Sequence, residues 1–370
     1  MKVITANRPV ECDSYYYKPF VRYIVSDYEA MFLVQSTPST QWDVSSFNPY
    51  EKRYGGQDLN GKKVVVYRHT AYGDQLMISS VVRYLKGKYP DVTIHFYCDG
   101  NMEPLWRYNP FIGGAAIPIP IPFDVARAYD YHIFYEGMLE NNGEFDQNCC
   151  YDDFFNVIGM PNIPDRWKRP HVIPRPEDYK FATDRKMDLN KPYLVYHLAP
   201  ANKNRCYPPS QGAEFIRMFL DRYIDWEVFI VGRESDKEAV MGQMGQMDRV
   251  VDLVNETKSF RDLIPILESA NVVVAPDSSV MHLAACFEGV PTVSLWGPFH
   301  PNDRAKYYAN HHPIFKPDVC EFAACHNHTF TLPLEKCTKA TNWEDGSKYC
   351  AVLSNIKPED ILEKVEDVIS

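Results

Sequence analysis

The residues with the clearest chemical potential lie between Asn271 and Pro301. An apolar strand there ends at Pro276, and the polar turn Asp277–Ser279 opens a helix that carries His282. A strand, a short polar turn and a helix together aim backbone N–H groups and the positive end of the helix at an anion. The segment therefore predicts a phosphate site, and helix capping by the aspartate and the serines is the equally simple structural explanation.

A second candidate is Asp74, which ends a short loop between the apolar strand Val64–Tyr67 and a helix predicted over Gln75–Lys88. A carboxylate near the carboxyl end of a strand can accept the proton of a substrate hydroxyl, which is general-base catalysis. The alternative is that Asp74 caps the helix, at a position where aspartate is favoured. Its position alone favours the cap.

Two cations, Lys203 and Arg205, follow the predicted strand Tyr193–Leu198. An arginine guanidinium suits bidentate contact with a phosphate, whereas a lysine ammonium acts as a point charge. Either could neutralise a leaving phosphate. The ordinary alternative for both is a solvated surface charge.

These candidates are spaced along an alternation of strands and helices that begins near Lys62. The further strands are predicted at Thr93–Cys98, Tyr131–Tyr135, Glu227–Val231, Val250–Leu253, Val272–Ala275 and Thr292–Trp296. The further helices are predicted near Gln211–Tyr223, Lys237–Met244, Phe260–Glu268 and Val280–Phe287. Such alternation predicts parallel sheets, so we expect an α/β protein that binds ligands beyond the carboxyl ends of its strands.

The segment Pro161–Pro176 divides the alternation into two runs. It holds five prolines and is typical of an interdomain linker. A chain of 370 residues is also long for one core and suits two domains. We therefore expect two Rossmann-like, doubly wound domains, over residues 61–170 and 171–355, that face a cleft.

Three segments lie outside these two runs. Residues 1–60 lack a sustained period and predict an irregular extension packed on the first domain. The proline-rich stretch Ile117–Pro122 predicts a loop. Lys357–Ile369, within residues 356–370, has apolar residues at helical spacing and predicts an amphipathic closing helix.

The composition is that of an ordinary globular protein, with 45% hydrophobic and 24% charged residues. The formal net charge of −10 argues against a large nucleic-acid footprint, although a local basic groove stays compatible with it. No apolar run approaches the roughly 20 residues that span a bilayer, and Met1–Asp13 has no apolar signal core. Most of the ten cysteines are scattered, so we expect reduced thiols and a cytoplasmic protein.

The last four cysteines form a dense cluster near His326 and His328. They are Cys320, Cys325, Cys337 and Cys350. Zinc sites usually use tighter cysteine pairs on both sides, and only the first pair here comes close to that spacing. The pattern favours reduced or disulfide-paired cysteines over a structural zinc, and we expect no cofactor.

The segment around Asp277 resembles the donor-binding signature of the heptosyltransferases, which are glycosyltransferase family 9 and have the GT-B fold. That signature reads approximately Asp-Ser/Thr-Gly-x-x-His-Leu-Ala-Ala, followed by Pro and by a Phe-Gly-Pro-like turn. The chain has Asp277-Ser-Ser-Val-Met-His-Leu-Ala-Ala285, then Pro291 and Trp296-Gly-Pro298. Ser279 stands where the family usually has glycine, so we expect strain there if the position needs a positive φ.

Other segments resemble the family in the same order along the chain. Arg68–Leu76 resembles its Gly-Asp motif, His197–Pro208 resembles its basic Lys/Arg-x-Trp-Pro segment, and Val231–Glu234 resembles its next strand end. Val251–Leu253 and Ser259–Ala270 resemble the strand and the helix that precede the signature. The ordered series is more specific than any single motif.

The resemblance implies a glycosyltransferase that moves a sugar from a nucleotide-diphosphate sugar to an acceptor hydroxyl, with inversion and without a metal. It implies Asp74 as the base, on an acceptor-side first domain. The second domain would bind the donor through Lys203, Arg205, Gly232, Asp277, Ser278, Ser279 and His282. Arg205 is favoured over Lys203 at the diphosphate because Tyr207-Pro208 then takes the Trp-Pro place.

The acceptor implied by family analogy is a glycan of the lipopolysaccharide kind. A hydroxymethylated base in DNA is the alternative acceptor, against which the acidic net charge counts mildly. A sugar-nucleotide epimerase or hydrolase shares the fold but needs further acid and base groups, for which Glu136 and Glu144 are the candidates. A non-catalytic module that keeps the nucleotide site is the third class.

Overall fold

The computed structural model describes residues 2–12, 15–25, 27–46, 52–69, 71–113, 117–118, 120–136, 138, 149–197, 200–233, 247–326, 332–343 and 346–370. These residues fall into two compact units, one up to Lys168 and one from Arg169 to Ser370, with Cys149 grouped with the second. Within these ranges no helix combines the length and the apolar character needed to cross a membrane.

The first sixty residues contain regular structure, so the prediction of an irregular segment is wrong. The elements are β1 (Lys2–Ala6), β2 (Val10–Cys12), β3 (Tyr15–Tyr17), β4 (Arg22–Val25), α1 (Asp27–Ser36) and β5 (Trp42–Ser46). β1 pairs antiparallel with both β4 and β5, while β2 and β3 form a separate hairpin. Strands of three to five residues are too short to show a sustained period in the sequence.

The rest of the first unit is the predicted α/β alternation. Its elements are β6 (Lys63–Tyr67), α2 (Tyr72–Lys88), β7 (Thr93–Cys98), α3 (Glu103–Arg107), β8 (Ile117–Pro118), β9 (Ile121–Pro122), α4 (Phe123–Arg127), β10 (Tyr131–Phe134) and α5 (Cys150–Val157). The sheet has the order β10-β6-β7-β8 and is parallel throughout. β6 is fully buried from Val64 to Val66, which is why it reads as a continuous apolar run.

The loop predicted over Ile117–Pro122 is wrong in part, because β8 and β9 are two-residue strands. β8 forms the edge of the parallel sheet, and β9 pairs antiparallel with β4 at the edge of the N-terminal sheet. Proline lacks a backbone donor and is tolerated at sheet edges, so a proline-rich sequence can still add edge strands.

The second unit holds a parallel sheet of six strands in the order β13-β12-β11-β14-β15-β16. The elements before and within it are α6 (Lys180–Asp184), β11 (Tyr193–His197), α7 (Pro209–Arg222), β12 (Glu227–Val231), β13 (Val250–Asp252), α8 (Leu263–Glu268), β14 (Val272–Pro276), α9 (Ser279–Ala284), β15 (Thr292–Leu295), α10 (Pro301–Ala305) and β16 (His311–Ile314). After the sheet come β17 (Thr341–Asn342), β18 (Lys348–Tyr349), α11 (Ala351–Ser354) and α12 (Pro358–Ile369). Strand order runs outward from β11 in one direction and resumes at β14 in the other, which is doubly wound topology.

The strands predicted in this unit are confirmed, with differences at their ends. The helix predicted over Lys237–Met244 lies outside the described residues. The helix predicted over Phe260–Glu268 begins with the 3₁₀ turn Phe260–Asp262, which Ser259 caps. The closing helix is confirmed as α12, whose Ile361 and Val365 are fully buried.

Candidate active site

In the second unit the candidate donor residues gather where the strand order reverses. Asp277 directly follows β14, and Arg205 follows β11 within the 3₁₀ turn Lys203–Arg205. β11 and β14 are parallel neighbours with Val195 opposite Val273, so their carboxyl ends open on one edge of the sheet. Doubly wound sheets bind ligands in the crevice at such a reversal.

Asp277 is the centre of a charged cluster. Its Oδ2 lies 3.0 Å from Nη1 of Arg205 and 3.7 Å from Nη1 of Arg304, and its Oδ1 lies 3.8 Å from Nε2 of His282. The Asp277 side chain is 2% exposed, whereas Arg205 and Arg304 are 14% and 12% exposed. Burial alone would raise the pKa of Asp277, but the charges of Arg304 and Arg205 outweigh it and lower the pKa to about 2. The carboxylate stays charged, and the two guanidinium groups are the members that reach solvent.

Arg304 was not predicted from the sequence. It lies in α10, whose first turn is closed by a reciprocal cap in which the His300 N–H donates to Asp303 Oδ2 at 2.9 Å. The guanidinium carbon of Arg304 is 4.3 Å from the centre of the Phe299 ring, and that of Arg205 is 5.9 Å from the same ring. The spacing His300-x-x-Asp303 after the Trp-Gly-Pro turn was the sequence signal for this short helix.

The two serines of the motif belong to the start of α9. Ser278 is the extended N-cap, with φ −158°, and its Oγ accepts a hydrogen bond from the Met281 N–H at 3.4 Å. The capping explanation therefore accounts for the Ser278 hydroxyl. Ser279 is the first helical residue and is not among the residues with positive φ, so the strain expected at this glycine position does not arise.

His282 lies in the interior beside Asp277. Its Nδ1 is 2.6 Å from the Tyr308 hydroxyl, and its side chain is 2% exposed. Burial lowers the pKa of His282 to about 3, although the nearby Asp277 opposes that shift. The imidazole is therefore neutral at pH 7, and the cluster of two arginines and one carboxylate carries one net positive charge.

The remaining donor candidates differ in their surroundings. Lys203 shares the 3₁₀ turn of Arg205 but is exposed, as an ordinary surface lysine would be. Gly232 directly follows β12, and its carbonyl accepts the Asn255 N–H at 3.1 Å. The structure thus brings Arg205, Asp277 and His282 into one cluster without placing Lys203 in it.

Gly297 of the Trp-Gly-Pro turn is explained by packing. A Cβ at this position would lie 2.7 Å from Cγ of Leu353 and 3.2 Å from Sγ of Cys350. Leu353 is fully buried and has no room to move away. Only glycine therefore lets the turn after β15 approach α11 this closely.

Asp74 lies at the corresponding place in the first unit, beyond the reversal between β6 and β10. It is the third residue of α2, whose N-cap is Ala71, so the capping alternative is wrong. Its Oδ2 pairs with Nη2 of Arg68, and the two side chains are 13% and 3% exposed respectively. Arg68 directly follows β6, and its Nη1 donates to the carbonyl of Tyr135, just beyond β10, at 3.2 Å.

Gln75 supports this loop and was missed by sequence reasoning. Its Nε2 donates to the carbonyls of Arg68 at 3.1 Å and His69 at 3.2 Å, and its Oε1 accepts the Trp106 indole N–H at 2.6 Å. The Gln75 side chain is fully buried. A buried glutamine must satisfy its amide, so it fixes the backbone before Asp74. The only sequence signal was a glutamine on the apolar side of a helix.

The four C-terminal cysteines line one apolar cavity of about 370 Å³ together with Phe322, Leu332 and Leu334. All four are free thiols, and burial raises the pKa of Cys350 to about 11. Nε2 of His326 lies 3.5 Å from Oδ2 of Asp303, and His328 is outside the described residues. Within the described parts of the chain, no group of three or more His, Cys, Asp or Glu side chains is arranged to hold a metal ion.

Residues 169–323 match the family model of glycosyltransferase family 9 (heptosyltransferase). A lipopolysaccharide heptosyltransferase 1 from Campylobacter coli is 21% identical over 362 residues, which are 83% of this chain and 98% of that protein. The matched family segment contains Arg205, Asp277, His282 and Arg304.

Two solved structures share the fold. The E. coli ADP-heptose lipopolysaccharide heptosyltransferase II has a TM-score of 0.62 at 16% identity, over 83% of this chain and 98% of that one. A family 9 glycosyl transferase from Veillonella parvula has a TM-score of 0.64 at 17% identity, over 85% of this chain and 99% of that one. These comparisons confirm three predictions. The chain resembles family 9, it has the GT-B fold with two Rossmann-like domains, and its enzyme class is that of the glycosyltransferases.

Proposed function

We propose that this glycosyltransferase moves a sugar from a nucleotide-diphosphate sugar to a hydroxyl of a lipopolysaccharide-like glycan, with inversion and without a metal. The names of the relatives support this substrate class, since one is a lipopolysaccharide heptosyltransferase and another an ADP-heptose lipopolysaccharide heptosyltransferase. ADP-heptose is therefore the first donor to test.

The observation that carries the proposal is which charged side chain is buried, and which is more exposed, at the place where the strand order reverses in each unit. In the second unit the carboxylate of Asp277 is buried, and Arg205 and Arg304 are the more exposed groups. The buried carboxylate holds both guanidinium groups in place. They suit a diphosphate because one guanidinium can contact two phosphate oxygens at once. In the first unit Arg68 is the buried partner and the carboxylate of Asp74 is the more exposed one, as a base requires.

In the proposed reaction, Asp74 accepts the proton of the acceptor hydroxyl while that oxygen attacks the anomeric carbon of the donor. The bond from the anomeric carbon to the diphosphate oxygen breaks, and its electron pair leaves with the nucleoside diphosphate. Attack opposite the leaving group inverts the configuration at the anomeric carbon. Arg205 and Arg304 stabilise the charge that develops on the diphosphate, a task that a metal ion performs in other transferases.

We also propose a cytoplasmic location. Cys98, Cys320, Cys325, Cys337 and Cys350 are free thiols, which a reducing compartment keeps in that state. Cys98 is fully buried at the end of β7. The measurement is fractionation of cells that produce the protein, with the thiols counted by alkylation before lysis.

The donor part of the proposal is tested by thermal denaturation with nucleotide sugars. ADP-heptose and a panel of ADP-, UDP- and GDP-sugars are added at about 100 times an expected dissociation constant, where binding adds about 2.7 kcal/mol. For a domain of this size that corresponds to a rise in Tm of roughly 5–10 °C. Release of nucleoside diphosphate is then measured with lipopolysaccharide that lacks its heptose region as acceptor. If no member of the panel raises the Tm, the donor site is wrongly assigned.

A further inference from the structure

We propose that the N-terminal hairpin β2–β3 completes the acceptor side of the first unit, where His69 accepts a hydrogen bond from a sugar hydroxyl through Nδ1. In this proposal Tyr15 is the positioning residue that determines which ring nitrogen of His69 carries the proton. The inference rests on the proposed function, because it names a second contact for the acceptor whose hydroxyl Asp74 deprotonates.

Tyr15 of the hairpin contacts residues that follow the carboxyl ends of two strands of the parallel sheet. In β3, Tyr17 is fully buried and Tyr16 is 53% exposed, as expected for neighbours on opposite faces of a strand. Tyr15, opposite Cys12 at the end of the hairpin, is on the same face as Tyr17. Its ring centre is 5.3 Å from that of His69.

The partners of Tyr15 lie just beyond two neighbouring parallel strands. His69 comes two residues after β6, and Asp99 directly follows β7. The backbone joins them, because the Asp99 N–H donates to the His69 carbonyl at 2.8 Å. The His69 N–H donates to Oε2 of Glu136, beyond β10, at 2.7 Å. His69 is therefore fixed at the strand reversal of the first unit, where a doubly wound sheet binds its ligand.

The hydrogen bonds decide which nitrogen of His69 carries the proton. The Tyr15 hydroxyl donates its single proton to Oδ2 of Asp99 at 2.7 Å, since a carboxylate can only accept. Nε2 of His69 also contacts the Tyr15 hydroxyl oxygen. With the tyrosine proton already used, Nε2 must be the donor in that contact. In the neutral imidazole, Nδ1 is then the acceptor nitrogen.

The surroundings of His69 suit a polyhydroxylated ligand. Its side chain is 25% exposed and that of Asp99 is 16% exposed, so the group is ordered yet reachable. The other oxygen of Asp99 accepts the Asn101 N–H at 2.7 Å, which holds the carboxylate in place. An oriented acceptor nitrogen beside an aromatic ring, on the residue that follows the Arg68 partner of the proposed base, matches a sugar ring that presents several hydroxyl groups.

The test compares two amides at position 69. The amide of asparagine lies near the place of imidazole Nδ1, and the amide of glutamine lies near the place of Nε2. His69→Asn should keep the acceptor KM within about threefold, because its oxygen can replace Nδ1, whereas His69→Gln should raise it roughly tenfold, the value of one hydrogen bond. Tyr15→Phe should also raise the acceptor KM, by about threefold to tenfold. The donor KM should stay unchanged in all three.

The matched control is Tyr16→Phe, which removes the hydroxyl of the neighbouring tyrosine on the exposed face and should change neither KM. Melting temperature and ADP binding are measured for every variant, so that a folding defect is separated from a lost contact. Equal acceptor KM values for His69→Gln, Tyr15→Phe and the unsubstituted enzyme would overturn this inference while leaving the proposed function intact. An unsubstituted protein that transfers no sugar from any donor of the panel overturns both.

Discussion

The two strand reversals of this chain hold the same pair of residue types in opposite order. In the second unit the aspartate is inside, with Asp277 2% exposed and Arg205 14% exposed. In the first unit the arginine is inside, with Arg68 3% exposed and Asp74 13% exposed. Both pairs follow strands of parallel sheets whose order reverses at that point.

In each of these ion pairs, the more exposed member is the one that a ligand can contact. A buried charge needs a partner to offset its desolvation, so the inner residue holds the outer one in place. Asp277 therefore presents arginines to an anion, and Arg68 presents a carboxylate to a hydroxyl. A motif that names both residues does not say which of them faces the ligand, since that depends on packing.

We expect the largest loss of activity from a substitution of Asp74, the more exposed member of the Arg68–Asp74 pair. Asp74→Asn removes the base, while its amide oxygen can still accept from Arg68, so the fold should persist. We expect kcat to fall about a thousandfold, within the range for a general base, with the donor KM unchanged. Initial rates of nucleoside diphosphate release, with acceptor present, measure this.

The same substitution at the inner carboxylate is the control. Asp277→Asn leaves Arg205 and Arg304 without their counterion in a mostly buried place, so it should lower the Tm and raise the donor KM. A kcat close to that of the unsubstituted enzyme in Asp74→Asn would contradict the comparison, because the outer carboxylate would then have no part in the chemistry.

The fold of the parallel sheets could be predicted because their strands are apolar runs. Val272–Val274 and Val64–Val66 are fully buried, and short runs of β-branched residues such as these favour buried strands. β16 was missed for the opposite reason. It contains His311, His312 and Pro313, and only its pairing with β15 makes it a strand.

The site could be predicted only in part. The resemblance supplied Asp74, Arg205 and Asp277, and the structure then showed that Asp74 pairs with Arg68 and that Asp277 pairs with Arg205. Arg304 escaped because its contact with Asp277 is tertiary, and no periodicity or local spacing records such a contact. The role of Gln75 was not predicted because a polar residue on a helix is ordinarily solvated. Its burial depends on its contact with Trp106.

A smaller effect should come from the outer arginine that the sequence did not indicate. Arg304→Ala removes one charge-assisted contact to the diphosphate, which is typically worth about 1.5–3 kcal/mol, so the donor Kd should rise at least tenfold. Arg304→Lys keeps the charge but cannot contact two phosphate oxygens at once. Its donor Kd should lie between those of the unsubstituted enzyme and Arg304→Ala. Titration calorimetry with the nucleoside diphosphate measures both.

The control for Arg304 is Arg222→Ala in the same unit. Arg222 is 68% exposed and pairs with Glu366 at 3.1 Å, so its removal should leave the donor Kd unchanged. Equal affinities for Arg304→Ala and Arg222→Ala would break the claim that the outer members of the second cluster bind the donor.

The starts of the two helices that follow the reversals also differ. α9 begins with the side-chain cap of Ser278. α2 begins at Tyr72, and its N-cap Ala71 has φ 69° and makes no side-chain cap hydrogen bond. The first unit therefore relies on Gln75 and Arg68 to hold its loop, whereas the second has a local cap.

The smallest effect should come from that cap. Ser278→Ala should cost about 1 kcal/mol and Ser278→Gly only a few tenths, because glycine is itself accepted at an N-cap. For a unit of this size the alanine variant should lower the Tm by roughly 2–4 °C. The donor Kd should hardly change, since the hydroxyl is engaged by the Met281 N–H. A raised donor Kd with an unchanged Tm would instead make the Ser278 hydroxyl a ligand of the diphosphate, and the second unit would then offer more than its arginines.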